Sequence, residues 1–149
     1  MTTSAVHDTF RIERHLSAAP ARVFRAFADP EAKAKWFGGP ATKCDAFDFR
    51  EGGAESATTV LDDGTRFGFT ATYTDIVPDE RIVYTYAMTL NGERISVSVV
   101  TVEVRATADG TDLAITEQGV YLDGLDNPAQ RRDGTEILMD ELAKSLQAA

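Results

Sequence analysis

The chain has 149 residues, 43% of them hydrophobic, with a net charge of −9, one cysteine and two histidines. A domain of this length buries roughly 70% of the surface its unfolded chain exposes, so a core can form without a disulfide or a metal. Cys44 alone makes no internal disulfide, His7 and His15 are too few for a zinc cluster, and the acidic balance opposes a nucleic-acid backbone.

Asp8 to Leu16 alternates, with Phe10, Ile12 and Leu16 on one side and Arg11, Glu13 and His15 on the other, as in a half-buried strand. Arg14 falls on the apolar side. Two short helices should follow. Pro20 suits a first helical position, and Val23, Phe24 and Phe27 form a stripe at helical spacing. Asp29-Pro30-Glu31 then reads as a cap, a proline in the first turn and an acid where the helix dipole favours one. Trp36 and Phe37 close this second helix, and Gly38-Gly39-Pro40 stops it.

From Cys44 onward the period becomes two. Phe47 and Phe49 precede Gly52-Gly53, a weak strand runs over 54–61, and Asp63-Gly64 turns the chain. Phe67, Phe69, Ala71 and Tyr73 share one face of the next strand; Ile82, Tyr84, Tyr86 and Met88 share one face of the strand after the Pro78-Asp79 turn. Asn91-Gly92 is a strong hairpin signal. Ile95, Val97 and Val99 lie on one parity and Val100, Val102 and Val104 on the other, which predicts a bulge near Val99-Val100. After the Asp109-Gly110 turn come Leu113, Ile115, Glu117 and Gly119. Asn127-Pro128 opens a last helix with Leu138, Leu142 and Leu146 at i, i+4 and i+8. An antiparallel sheet with one apolar face needs a cover, and this is the only long helix available. The expectation is one α+β domain, residues 1–149, with Leu138 and Leu142 buried.

These residues in this order resemble the helix-grip fold of the START and birch-pollen-allergen-like (SRPBCC) superfamily. Within it the chain resembles the branch related to the heat-shock-protein-90 ATPase activator, also called polyketide cyclase-like. The resemblance rests on Ala19-Pro20 with Val23-Phe24-Arg25-Ala26, Asp29-Pro30-Glu31 leading to Trp36-Phe37-Gly38, and Phe47-Asp48-Phe49-Arg50 before Gly52-Gly53. Ile76-Val77-Pro78 before Arg81-Ile82-Val83-Tyr84, Gly110-Thr111 and Thr116-Glu117-Gln118-Gly119 complete it. The branch commonly carries Gly-Trp in its last helix; here Gly134 precedes Thr135, a change shared with a bacterial subgroup that the 117–124 stretch resembles. The resemblance implies a curved antiparallel sheet wrapped around the C-terminal helix, with space between them.

The inward aromatics either fill a core or wall an internal cavity. Under the second reading a small, apolar or lipid-like molecule binds among Trp36, Phe49, Phe69, Tyr84, Tyr86, Met88, Glu117 and Met139, with no cofactor and no metal. Glu117 and Arg14 sit on apolar parities of strands that neighbour each other in this fold, so they are expected to pair. The pair either closes a wet end of the sheet or leaves Glu117 as an acid, base or anchor in the pocket. Gly134 allows either close packing on the sheet or room for a ligand. Arg131, Arg132, Lys33 and Lys35 are expected on solvated faces, His15 is expected exposed, and Cys44 has no evident base beside it.

Three function classes follow: a binding or carrier module, a cofactor-independent cyclase- or hydratase-type enzyme using Glu117 with a tyrosine, and a co-chaperone-like interaction domain. No stretch reaches the roughly 18 apolar residues of a membrane span, and the first residues lack signal character, so a cytoplasmic location is expected. The assembly state is open, a homodimer included.

Overall fold

The computed structural model describes residues 3–147. Seven strands and three helices follow one another as β1 (Ala5–Leu16), α1 (Pro20–Ala28), α2 (Pro30–Ala34), β2 (Thr42–Phe47), β3 (Ala54–Val60), β4 (Arg66–Val77), β5 (Arg81–Leu90), β6 (Glu93–Thr107), β7 (Gly110–Leu122) and α3 (Pro128–Gln147). The strands form one antiparallel sheet in the order β1-β7-β6-β5-β4-β3-β2. The meander from β2 to β7 runs through local hairpins, and β1 closes the sheet against β7. This is the α+β helix-grip arrangement. No helix among the described residues is long and apolar enough to cross a membrane.

Local chemistry sets the boundaries. Asp29 ends α1 in extended backbone and caps α2, its carboxylate accepting from the Ala32 amide at 2.9 Å. Asn91 and Gly92 both hold positive φ, 49° and 86°, as a two-residue type I′ hairpin requires. The Asn127 carboxamide accepts from the Gln130 amide at 2.9 Å and so caps the last helix. Leu142 and Met139 of α3 are buried with Val100, Val102, Leu113 and Ile115 of the sheet, while Leu138 is only half-buried.

The bulge in β6 is not where the valine parity puts it. Tyr84 to Met88 pair without interruption with Val100 to Ser96, and the register shifts beyond Met88, leaving Ile95 as the extra residue. Val97 and Val99 face outward at 39% and 38% exposure, opposite Val100. The odd-numbered valines are outer-face residues of a β-rich strand, not a second inward set. The true bulge puts two successive residues, Ile95 and Ser96, out of water.

Candidate functional site

Between the concave face of the sheet and α3 lies a pocket of about 360 Å³, open to solvent on one side. Alternation along β5 sends Tyr84, Tyr86 and Met88 into it, β6 and β7 contribute Val100, Ile115 and Glu117, and α3 contributes Arg131, Gly134, Leu138 and Met139. Trp36 forms part of the opposite wall. Its indole is fixed by a 2.9 Å hydrogen bond to the Ala26 carbonyl and by edge contact with Phe27. Of the residues proposed from sequence, Trp36, Phe69, Tyr84, Tyr86, Met88, Glu117 and Met139 border this space. Phe49 stands apart, packed edge-on against Phe24 and Tyr73 in the adjoining core. At Gly134 an added Cβ would meet nothing within 4 Å, so close packing does not explain this glycine.

One end of the pocket is polar. The Tyr86 hydroxyl donates to Glu117 Oε2 at 2.7 Å and accepts from Arg131 Nη1 at 2.8 Å. Arg131 Nη1 also reaches Glu117 Oε2 at 3.5 Å, while Nη2 donates to Ser96 Oγ at 2.8 Å and to Asp126. Arg131, expected in solvent, has a side chain only 12% exposed. The stripe on α3 explains this: Arg131 shares the inward face with Thr135, Leu138, Met139 and Leu142, and carboxylates on β7 and in the preceding loop stabilise its charge there.

The expected partnership of Arg14 and Glu117 does not form. The β1–β7 register sets Phe10 opposite Glu117 and Arg14 opposite Leu113, four residues or about 13 Å along the strands. Arg14 turns to Asp140 of α3 at 3.4 Å instead.

Burial pushes the Glu117 carboxyl above its ordinary value, against the opposing pull of Tyr86 and Arg131. Ser98 Oγ lies close enough to help hold the Glu117 charge without meeting hydrogen-bond geometry; it and the Tyr121 hydroxyl are sealed away without partners. Burial and the nearby Glu117 charge also push the Tyr86 and Tyr84 hydroxyls well up, so both are protonated at neutral pH.

A second buried cluster reaches the pocket from α2. Lys33, also expected in solvent, donates to Glu55 Oε1 at 2.6 Å, and the Tyr73 hydroxyl donates to the same oxygen. The Lys33 ammonium also lies 4.6 Å from the centre of the Phe37 ring. Burial pulls its pKa below the usual lysine value, with Glu55 opposing. Helical spacing carried a signal for this too, since Lys33 precedes Trp36 and Phe37 by three and four positions. Its partner on β3 lies too far along the chain for any local pattern to reveal. Among the described residues no group of His, Cys, Asp and Glu is arranged to hold a metal.

The family model for Activator of Hsp90 ATPase homolog 1-like protein matches residues 17–147. The chain belongs to that family. A solved protein from Rhizobium leguminosarum is 44% identical over the whole of both chains, with a TM-score of 0.95. One from Rhizobium loti is 40% identical, over 95% of this chain and 99% of its own, with a TM-score of 0.90. A third, from Chromobacterium violaceum, is 30% identical over 95% and 98%, with a TM-score of 0.81. No curated protein matches the chain.

Proposed function

We propose that this family member binds a small, mainly apolar molecule in the pocket between its sheet and α3. The observation that carries the reading is a pocket of about 360 Å³ with aromatic and aliphatic walls and one polar end. Small-molecule sites fall in the range of roughly 300–1,000 Å³ and combine apolar walls with a few placed polar groups. Trp36, Phe69, Met88 and Leu138 supply area, while Glu117 and Tyr86 supply direction.

A naphthalene-based fluorescent probe is expected to bind saturably at one site per chain and to change Trp36 emission, Trp36 being the single tryptophan. Gly134→Leu tests the location. Its side chain would project into the open space, and the helix gains about 0.5–1 kcal/mol in propensity. The variant should therefore lose the probe while remaining at least as stable. Probe binding unchanged in Gly134→Leu, or no saturable binding in the parent protein, would overturn the reading.

A further inference from the structure

The residues bordering the pocket differ in how much of their surface they keep. Val100, Ile115, Glu117 and Met139 are sealed, whereas Phe37, Phe69, Tyr84, Met88 and Leu138 are only half-buried, and the surface they keep borders the free space. Tyr84 is the one polar member of that second group. Its strand partners Tyr73 and Val100 are 2% and 1% exposed, and ring contacts with Tyr73 at 5.8 Å and Tyr86 at 6.1 Å fix its orientation.

Of the uncharged polar side chains buried or half-buried in the wall, the Tyr84 hydroxyl alone makes no hydrogen bond among the described residues. Tyr86 is held by Glu117 and Arg131, and the Trp36 indole by the Ala26 carbonyl. Thr135 Oγ1 donates to the Arg131 carbonyl, and the Thr42 and Thr59 hydroxyls bond each other at 2.7 Å. The hydroxyls sealed away without a partner are those of Ser98 and Tyr121, so that of Tyr84 opens on the pocket. The charged groups are in the opposite condition. Lys33 is paired with Glu55, and Arg131 with Glu117 and Asp126, and none of these side chains is more than 12% exposed. The two cations also lie against the Phe37 and Tyr86 rings, at 4.6 Å and 5.5 Å from their centres.

Resting on the binding reading, we infer that the pocket selects an uncharged aromatic molecule with a hydrogen-bond acceptor, and that the Tyr84 hydroxyl is the group that reads the acceptor. The open Phe37, Phe69 and Tyr84 rings suit an aromatic body, which packs edge-on or offset against them. The acceptor is an oxygen such as that of an aryl ketone. A molecule of the same shape without it covers the Tyr84 hydroxyl and leaves it dry and unpaired, which is where the discrimination arises. A carboxylate is rejected. Burial and the charges of Glu117 and Glu55 keep Tyr84 protonated, and those same charges repel an anion set against it, with no cation free to meet it. A ligand ammonium must likewise shed its water where the carboxylates already have partners.

Naphthalenes of nearly one shape test this: 2-acetylnaphthalene, 2-ethylnaphthalene, 2-naphthoate and 2-naphthylmethylammonium, their affinities measured by equilibrium dialysis at neutral pH. The parent protein is expected to bind the ketone roughly tenfold more tightly than the ethyl compound, and the two ions at least about tenfold more weakly than the ketone. Tyr84→Phe removes a hydroxyl that bonds nothing within the protein, so its urea midpoint and its affinity for the ethyl compound should stay as they are. The ketone should lose its advantage in that variant. Equal binding of ketone and ethyl compound by the parent, a ketone preference that survives in Tyr84→Phe, or an ion bound as tightly as the ketone would overturn the selection and leave the binding reading intact. No binding of any of the four would overturn both.

Discussion

Lys33 and Glu55 show what a buried charge demands of its surroundings. Their side chains are 8% and 3% exposed, so either charge left alone would stand uncompensated away from water. Lys33→Met should therefore cost about 3–5 kcal/mol in chemical denaturation. Adding Glu55→Gln removes the orphaned charge while keeping an acceptor for Tyr73, so the double variant should recover much of that loss. A double variant whose cost equals the sum of the singles would show that the two side chains do not depend on each other. Glu117 makes a different demand, which pH reveals. Its folded-state pKa is raised, so between about 4.5 and that higher value the folded protein binds more protons than the unfolded chain. Stability must then fall as pH rises through this window, and the cost persists above it. Glu117→Gln should flatten that part of the stability–pH curve, measured by urea unfolding at a series of pH values. An unchanged slope would mean that the carboxyl titrates as it does in the unfolded chain.

At the scale of elements, α3 is held less by its own propensity than by the side chains it buries. Leu142 is fully buried, and Leu142→Ala should cost about 2–5 kcal/mol in urea unfolding. A cost below about 1 kcal/mol would be incompatible with its place in the core. The helix, its Asn127-Pro128 start and the strand alternation were legible in the sequence because each is a local pattern with a local cause. The β6 bulge was not. Parity separates the two faces of a strand, but it does not say which face a valine will leave in water, and Val97 and Val99 are half-exposed. Arg131 was misread for a related reason: a charged residue on a helix suggests solvent unless its phase with Thr135 and Met139 is followed. The pairing of Lys33 with Glu55 and the loss of Arg14 to Asp140 depend on register between distant segments, which local spacing does not encode.

The order of the strands has a consequence for how the whole molecule is made. Of the seven strands described, β1 is made before the other six, yet its sheet neighbour is β7, with Leu16 beside Thr111 and Ala5 beside Leu122. Strands β2 to β7 can zip together hairpin by hairpin as they emerge. β1 cannot, and at elongation rates of about 5–20 residues per second it waits on the order of 5–20 s for a partner. During that interval Phe10, Ile12 and Leu16 lack the core that buries them, and the strand offers unsatisfied backbone donors and acceptors along both edges. Within this domain, β1 is thus the strand left unpaired longest. A circular permutant that made β1 directly after β7 would close that interval and should refold faster, as stopped-flow refolding of the two chains would show.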